Sequence, residues 1–190
     1  MLEDIEQVSE NEYFISVDRN VSISESIFDY LIEKEIKLTV EMTDGDKALY
    51  AVTFDGAAME DSTGIALKKS YLVSDGYAVM DFIKEAPLPA GTSLKLYLEN
   101  LGFDKADNVV VLSKDSDGNW TENMIVGNED GCVVVTIEEG KQLLLNLSGA
   151  EVPDLDNPET DGESGIAYMV CVAALLLAVV VNSKRKGAKR

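Results

Sequence analysis

Apolar and polar residues alternate over several short stretches of this 190-residue chain, and in one place they recur at helical spacing. Ser24 can cap a helix running to about Glu35, with Ile27, Phe28, Leu31 and Ile32 on one stripe. That stripe is expected to pack on a sheet. KLTVEM and ALYAVTF read as a hairpin closed by Thr43-Asp44-Gly45-Asp46 and followed by an Asp55-Gly56 turn. IALKKSYLV and YAVMDFI flank a second turn at Asp75-Gly76. Pro87-Leu88-Pro89-Ala90-Gly91 is too rich in proline for a central strand, so it should cross between sheets or turn a corner. SLKLYLEN, NVVVLSK, WTENMIV, CVVVTIE and QLLLNLS then read as a regular meander, with Trp120 opposite CVVVTI. Short strands spaced by Gly and Asp turns predict a mainly β fold: an antiparallel β-sandwich-like domain with one short helix, over residues 1–149.

The pattern changes at the end of the chain. Ala150 to Ser164 holds two prolines, a glycine and six acids, and reads as an extended acidic stalk over 150–164. From Ser164 to Ser183, twenty consecutive residues carry no formal charge. As a helix rising ~1.5 Å per residue they reach about 30 Å, the thickness of a bilayer core. A buried core helix would show a polar face; Gly165 to Val181 shows none beyond the Tyr168 hydroxyl. A single transmembrane helix over 165–183 is expected, with 184–190 as a basic cytoplasmic tail and the β-rich domain outside.

Charge sharpens that contrast. All 35 Asp and Glu precede Gly165, so residues 1–164 hold 11 basic against 35 acidic side chains, a formal charge of −24. Lys184, Arg185, Lys186, Lys189 and Arg190 follow the apolar run as a positive-inside signal. Nucleic acid is excluded as a partner on this ground, because binding it needs Lys and Arg to displace counterions. The chain has no histidine, which removes the commonest general base and neutral metal ligand. Cys132 and Cys171 fall in different compartments of this layout and cannot staple it. The acidic start MLEDIEQVSENEYF is not a secretory signal, so an exported chain of this kind is expected to be the C-terminal part of something larger, or to have its true start upstream.

Asn157-Pro158-Glu159-Thr160, the apolar run and the Lys/Arg tail together resemble a Gram-positive cell-wall sorting signal of the NPxTG kind, related to LPxTG. The resemblance implies sortase as a partner, cleavage after Thr160, and transfer to cell wall peptidoglycan. Asp161 stands where that family has glycine, and without sortase the same residues make a membrane anchor. Over about residues 20–148, VSISESIFDYLIEK, KLTVEM, AVTFDG, LPAGTSLKLYL and DGCVVVTIEEGKQLLLNLSG are similar to a β-rich module near the C-terminus of Firmicutes surface proteins. That similarity implies an extracellular module. Sandwiches of such surface proteins sometimes carry an internal amide between Lys and Asn, promoted by a buried acid, and the sequence does not pick the residues.

Candidate chemistry is sparse. Asp115-Ser116-Asp117-Gly118-Asn119 has alternating side-chain oxygens, but its glycine is fourth and Val126 is twelfth, unlike a calcium loop, so a hairpin turn is expected here and at Asn128-Glu129-Asp130-Gly131. Three glycosylation sequons begin at Asn20, Asn119 and Asn146. Trp120 could stack on a sugar or cover the sheet core, and the faces around Trp120 and Tyr97 are the candidate ligand contacts. The expected function is a non-catalytic bacterial cell-surface module, structural or adhesive, with no cofactor and no catalytic or metal site. The alternative is a surface-tethered domain that binds a glycan or protein ligand; a third reading is a tail-anchored intracellular protein.

Overall fold

The computed structural model of the chain describes residues 6–60, 63–74, 76–83, 88–89, 91–104, 108–114, 119–136 and 142–148. In chain order the elements are β1 (Glu6–Ser9), β2 (Glu12–Val17), β3 (Val21–Ile23), α1 (Glu25–Lys34), β4 (Lys37–Asp44), β5 (Lys47–Asp55) and β6 (Ile65–Ser74). There follow β7 (Tyr77–Ile83), β8 (Ser93–Tyr97), β9 (Val109–Lys114), β10 (Trp120–Glu122), β11 (Ile125–Glu129), β12 (Cys132–Thr136) and β13 (Gln142–Leu147). They form two sheets. The first has the order β1-β2-β4-β5-β8-β12-β11, the second β10-β9-β13-β7-β6-β3.

The period-2 pattern fills the space between the sheets. Ile15 and Val17, Leu38, Val40 and Met42, Val52 and Phe54, Leu94 and Leu96, and Val133 and Val135 come from the first sheet. Val21 and Ile23, Ile65 and Leu67, Ala78 and Met80, Val109 and Val111, and Leu143 and Leu145 come from the second. These side chains form one buried cluster, which is how a sandwich satisfies two half-apolar sheets.

Helix α1 closes one end of that core. Ile27, Phe28 and Leu31 are buried, and Phe28 meets the Phe54 ring edge-on at 5.1 Å between centroids and 75° between planes. Ser24 occupies the N-cap position as expected, but its hydroxyl makes no cap bond and lies 2.9 Å from the Ser26 hydroxyl. The helix ends at Glu35 in the left-handed region (φ 53°), where Ile36 N–H donates to Leu31 O at 2.9 Å. Gly56, just beyond β5, runs so close to this turn that a Cβ there would stand 2.1 Å from Leu31 O. The Asp55-Gly56 turn read from the sequence is thus a site of backbone contact, which only glycine permits.

Three strands precede α1, and they change the topology. β2 leads into the second sheet through β3; the chain then runs along α1 and returns to the first sheet as β4, beside β2. That route brings β4 back in the same direction as β2, and the two pair in parallel from Glu12↔Lys37 to Val17↔Met42. The sandwich is therefore mixed in its first sheet and not purely antiparallel as the turn spacing suggested. Every other pairing among the described residues is antiparallel.

The expected meander of β8 to β13 also breaks: the chain changes sheet between β8 and β9, between β10 and β11, and between β12 and β13. Before it, the chain passes from β7 in the second sheet to β8 in the first, the crossing expected of the proline-rich stretch between them. WTENMIV, in contrast, is not one strand: β10 lies in the second sheet and β11 in the first, with the switch at Asn123 and Met124. Asn123 N–H still donates to Val111 O of β9 at 2.7 Å, so the chain leaves the second sheet only after that residue.

The registers define two poles. Glu12, Lys37 and Asp55 share the pole beside α1, whereas Val17 and the β4–β5 turn share the other, called here the hairpin pole. The stalk 150–164, the apolar run 165–183 and the tail 184–190 lie outside the described residues. Among the described residues no helix is long and apolar enough to cross a membrane.

Candidate functional site

Tyr97 stands on the outward face of the first sheet. It is opposite Cys132, and its neighbour Leu96 points into the core. Its hydroxyl donates to Glu41 Oε2 at 2.7 Å, and Lys95 Nζ lies 5.2 Å from its ring centroid. Burial first, then the Glu41 carboxylate, raises the Tyr97 hydroxyl well above its ordinary value and keeps it protonated. Cys132 and Ala51 close by are buried, and the outward positions toward the helix pole are polar. Thr39 and Thr53 share a hydrogen bond of 2.9 Å, and Lys37 reaches Glu12 at 3.4 Å and Asp55 at 3.8 Å.

Trp120 belongs to the other sheet. It pairs with Lys114 of β9, whose ammonium lies 5.5 Å from the indole centroid, and not with CVVVTI, which is β12 of the first sheet. Since Val109 and Val111 point into the core, Lys114 and Trp120 face outward. Trp120 is half-buried and lies outside the core cluster, so it is neither a core residue nor a neighbour of Tyr97. The two candidate contacts look out of opposite sides of the sandwich. They cannot line one pocket. The sorting-motif residues Asn157, Pro158, Glu159 and Thr160 lie outside the described residues.

The outward face around Trp120 differs in kind from that around Tyr97. Register places Leu112, Leu144, Val79 and Leu72 in one cross-strand row over β9, β13, β7 and β6. Val79 and Leu144 are buried even though they belong to the outward side, and Leu72 is exposed. The run Leu143-Leu144-Leu145 is continuously apolar because β13 buries side chains on both faces, whereas β9 alternates buried and half-buried positions.

A polar cluster at the hairpin pole was not legible in the sequence. Lys69 Nζ binds Asp18 Oδ1 and lies 2.7 Å from Asp44 Oδ1; the Tyr71 hydroxyl donates to Asp44 Oδ2 at 2.7 Å. Lys69 N–H donates to Asn20 Oδ1 at 2.8 Å. Asp18 follows β2 and Asp44 ends β4, both from the first sheet, while Lys69 and Tyr71 sit on β6 in the second. The β6–β7 register shifts between Leu67 and Ser70, and that irregularity is where Lys69 falls. The only hint in the sequence was KK inside an otherwise apolar strand.

The Lys69 and Tyr71 bonds hold the Asp44 carboxyl below its ordinary value. Burial lowers Lys69, but its Asp18 and Asp44 partners outweigh it and raise the ammonium overall. An amide bond needs a neutral amine attacking an uncharged carbonyl, and these shifts stabilise the opposite charge states. Asn20 meets the Lys69 backbone rather than its side chain. The cluster is an ionic clasp and not the internal amide of surface sandwiches.

The remaining motifs resolve into structure. Asp130 (φ 53°) and Gly131 (φ 74°) close the β11–β12 hairpin as a two-residue turn with both centres left-handed, the geometry for which Asp-Gly is selected. Of the sequon asparagines, Asn146 is buried, while Asn20 and Asn119 are exposed. Residues 115–118 lie outside the described residues.

Compared with protein-family models, with curated proteins and with solved structures, the chain matches none.

Proposed function

We propose that the chain is a non-catalytic bacterial cell-surface module, held at the membrane by its C-terminal apolar segment and structural or adhesive in role. One observation carries this reading: twenty uncharged residues, Ser164 to Ser183, separate a −24 chain from five cations. A helix of that length matches a bilayer, and the cations resist translocation. Asn157-Pro158-Glu159-Thr160 ahead of it supports transfer to the wall by sortase, with Thr160 as the new C-terminus.

The test is protease treatment of intact cells followed by fractionation. Loss of the β-rich domain from intact cells supports the surface reading; protection until lysis supports the intracellular one. Intact mass of wall-released protein decides the sortase step, since cleavage after Thr160 removes residues 161–190.

The rival reading, a domain that binds a glycan or protein ligand, draws its support from the first sheet's outward face. There Tyr97, Glu41 and Lys95 offer an aromatic edge with one acid and one base. Saturable binding on a glycan array that is lost in Tyr97→Ala favours it.

A further inference from the structure

We propose that the sandwich is a load-bearing unit that resists tension along its strands, with the parallel β2–β4 ladder and the two ladders of β13 carrying the force. The biological use of this property rests on the surface reading above, in which one end of the chain is fixed and the other is pulled.

The route of the chain sets the geometry. β2 is entered at Glu12, at the helix pole, and runs toward the hairpin pole beside β4. β13 pairs from Gln142↔Asp81 to Asn146↔Tyr77, and the β6–β7 turn next to Tyr77 lies at the hairpin pole, where Val73 meets Gly102 beyond β8. The chain therefore leaves β13 at the pole opposite the one where it enters β2. Leu147 N–H donating to Gly76 O at 3.3 Å and Ser148 N–H donating to Asn108 O at 2.7 Å fix that exit.

Pulling on both ends then draws β2 and β13 lengthwise in opposite directions. Ladder hydrogen bonds lie across the strands, so lengthwise force strains all bonds of a ladder together, whereas force applied at one end opens them singly. β2 is held to β4 over six register pairs, and β13 is held on both sides, by β7 and β9, over five each. β1 is the exception. It runs antiparallel to β2, pairs irregularly around Val8, and has only exposed residues, so the same pull peels it off first. The clasp reinforces the path, because Asp18 sits at the far end of β2 and is bonded to Lys69 in the second sheet.

The experiment is constant-force spectroscopy on the full chain in detergent, in two attachments. In the first, handles sit at the N- and C-termini. In the second, a peptide tag inserted in the Gly45-Asp46 turn replaces the N-terminal handle, so that both points lie at the hairpin pole and the sheets are peeled apart. Forced unfolding reads the barrier directly. The terminal pull should show a short early extension from β1 and then one rupture, at a rate at least about tenfold slower at equal load than in the second attachment, equivalent to ~1.4 kcal/mol of barrier. Equal rates, or faster rupture in the terminal pull, would overturn the proposal. Urea midpoints of the two chains at zero load must agree; if the tag shifts its midpoint, an insertion between Asp130 and Gly131, at the same pole, replaces it. Membrane attachment can fail while this asymmetry stands, and the reverse, so the two ideas are separable.

Discussion

Lys69 and Asp44 face each other at 2.7 Å across the gap between the two sheets, the ammonium from β6 and the carboxylate from the end of β4. With Asp18 on the same ammonium and Tyr71 on the same carboxylate, four side chains tie three segments at one pole.

This clasp predicts an acid-sensitive contribution to stability. The folded Asp44 carboxyl lies below its ordinary value of 3.8, chiefly through Lys69 and then Tyr71. A group depressed on folding stabilises fully above its unfolded value and loses that contribution as the pH falls through the folded one. Urea midpoints measured from about pH 5 down to about pH 2 should fall less steeply in Asp44→Asn than in the wild type. Parallel slopes would remove the clasp from the account.

Gly56→Ala should destabilise the fold by roughly 1–3 kcal/mol, the range for forcing atoms into a packed site. The added Cβ would meet Leu31 O at 2.1 Å, and both partners are backbone, so neither can swing aside. Thermal or urea unfolding tests this, with an unchanged midpoint as the contrary result.

Core and outward aromatics should separate cleanly. Phe54→Ala removes a fully buried ring stacked edge-on to Phe28 and should cost about 3–5 kcal/mol. Trp120→Ala removes a half-buried ring from an edge strand and should cost no more than about 1–2 kcal/mol. Comparable losses would mean that Trp120 belongs to the core after all.

Any ligand that depends on Tyr97 should be indifferent to Trp120. The two lie on opposite outward faces, so Tyr97→Ala and Trp120→Ala should not couple; any effects should add within about 0.5 kcal/mol in a binding titration. Strong coupling would contradict the placement.

Much of the sandwich is visible in the period-2 runs: Leu38, Val40 and Met42, or Leu94 and Leu96, announce a strand with one wet face. The turn residues placed both the β4–β5 and β11–β12 hairpins. Strand partners were a different matter. Tyr13, Ile15 and Val17 alternate well, but nothing local tells that β2 will lie parallel to β4, because that depends on a crossover through β3 and α1. Nearness in sequence sets Trp120 against CVVVTI, and no Pro or Gly marks the change of sheet between Glu122 and Ile125. The clasp escaped for the same reason: Asp18, Asp44 and Lys69 are brought together only by the packing of two sheets.

The central claim, that Ser164 to Ser183 lies in lipid, is tested most directly by floating the full chain, mixed with liposomes, through a density gradient. The account predicts that it rises with the lipid, resists extraction by high salt and carbonate, and is released by detergent. A chain that stays at the bottom as a soluble, folded particle without detergent would contradict it.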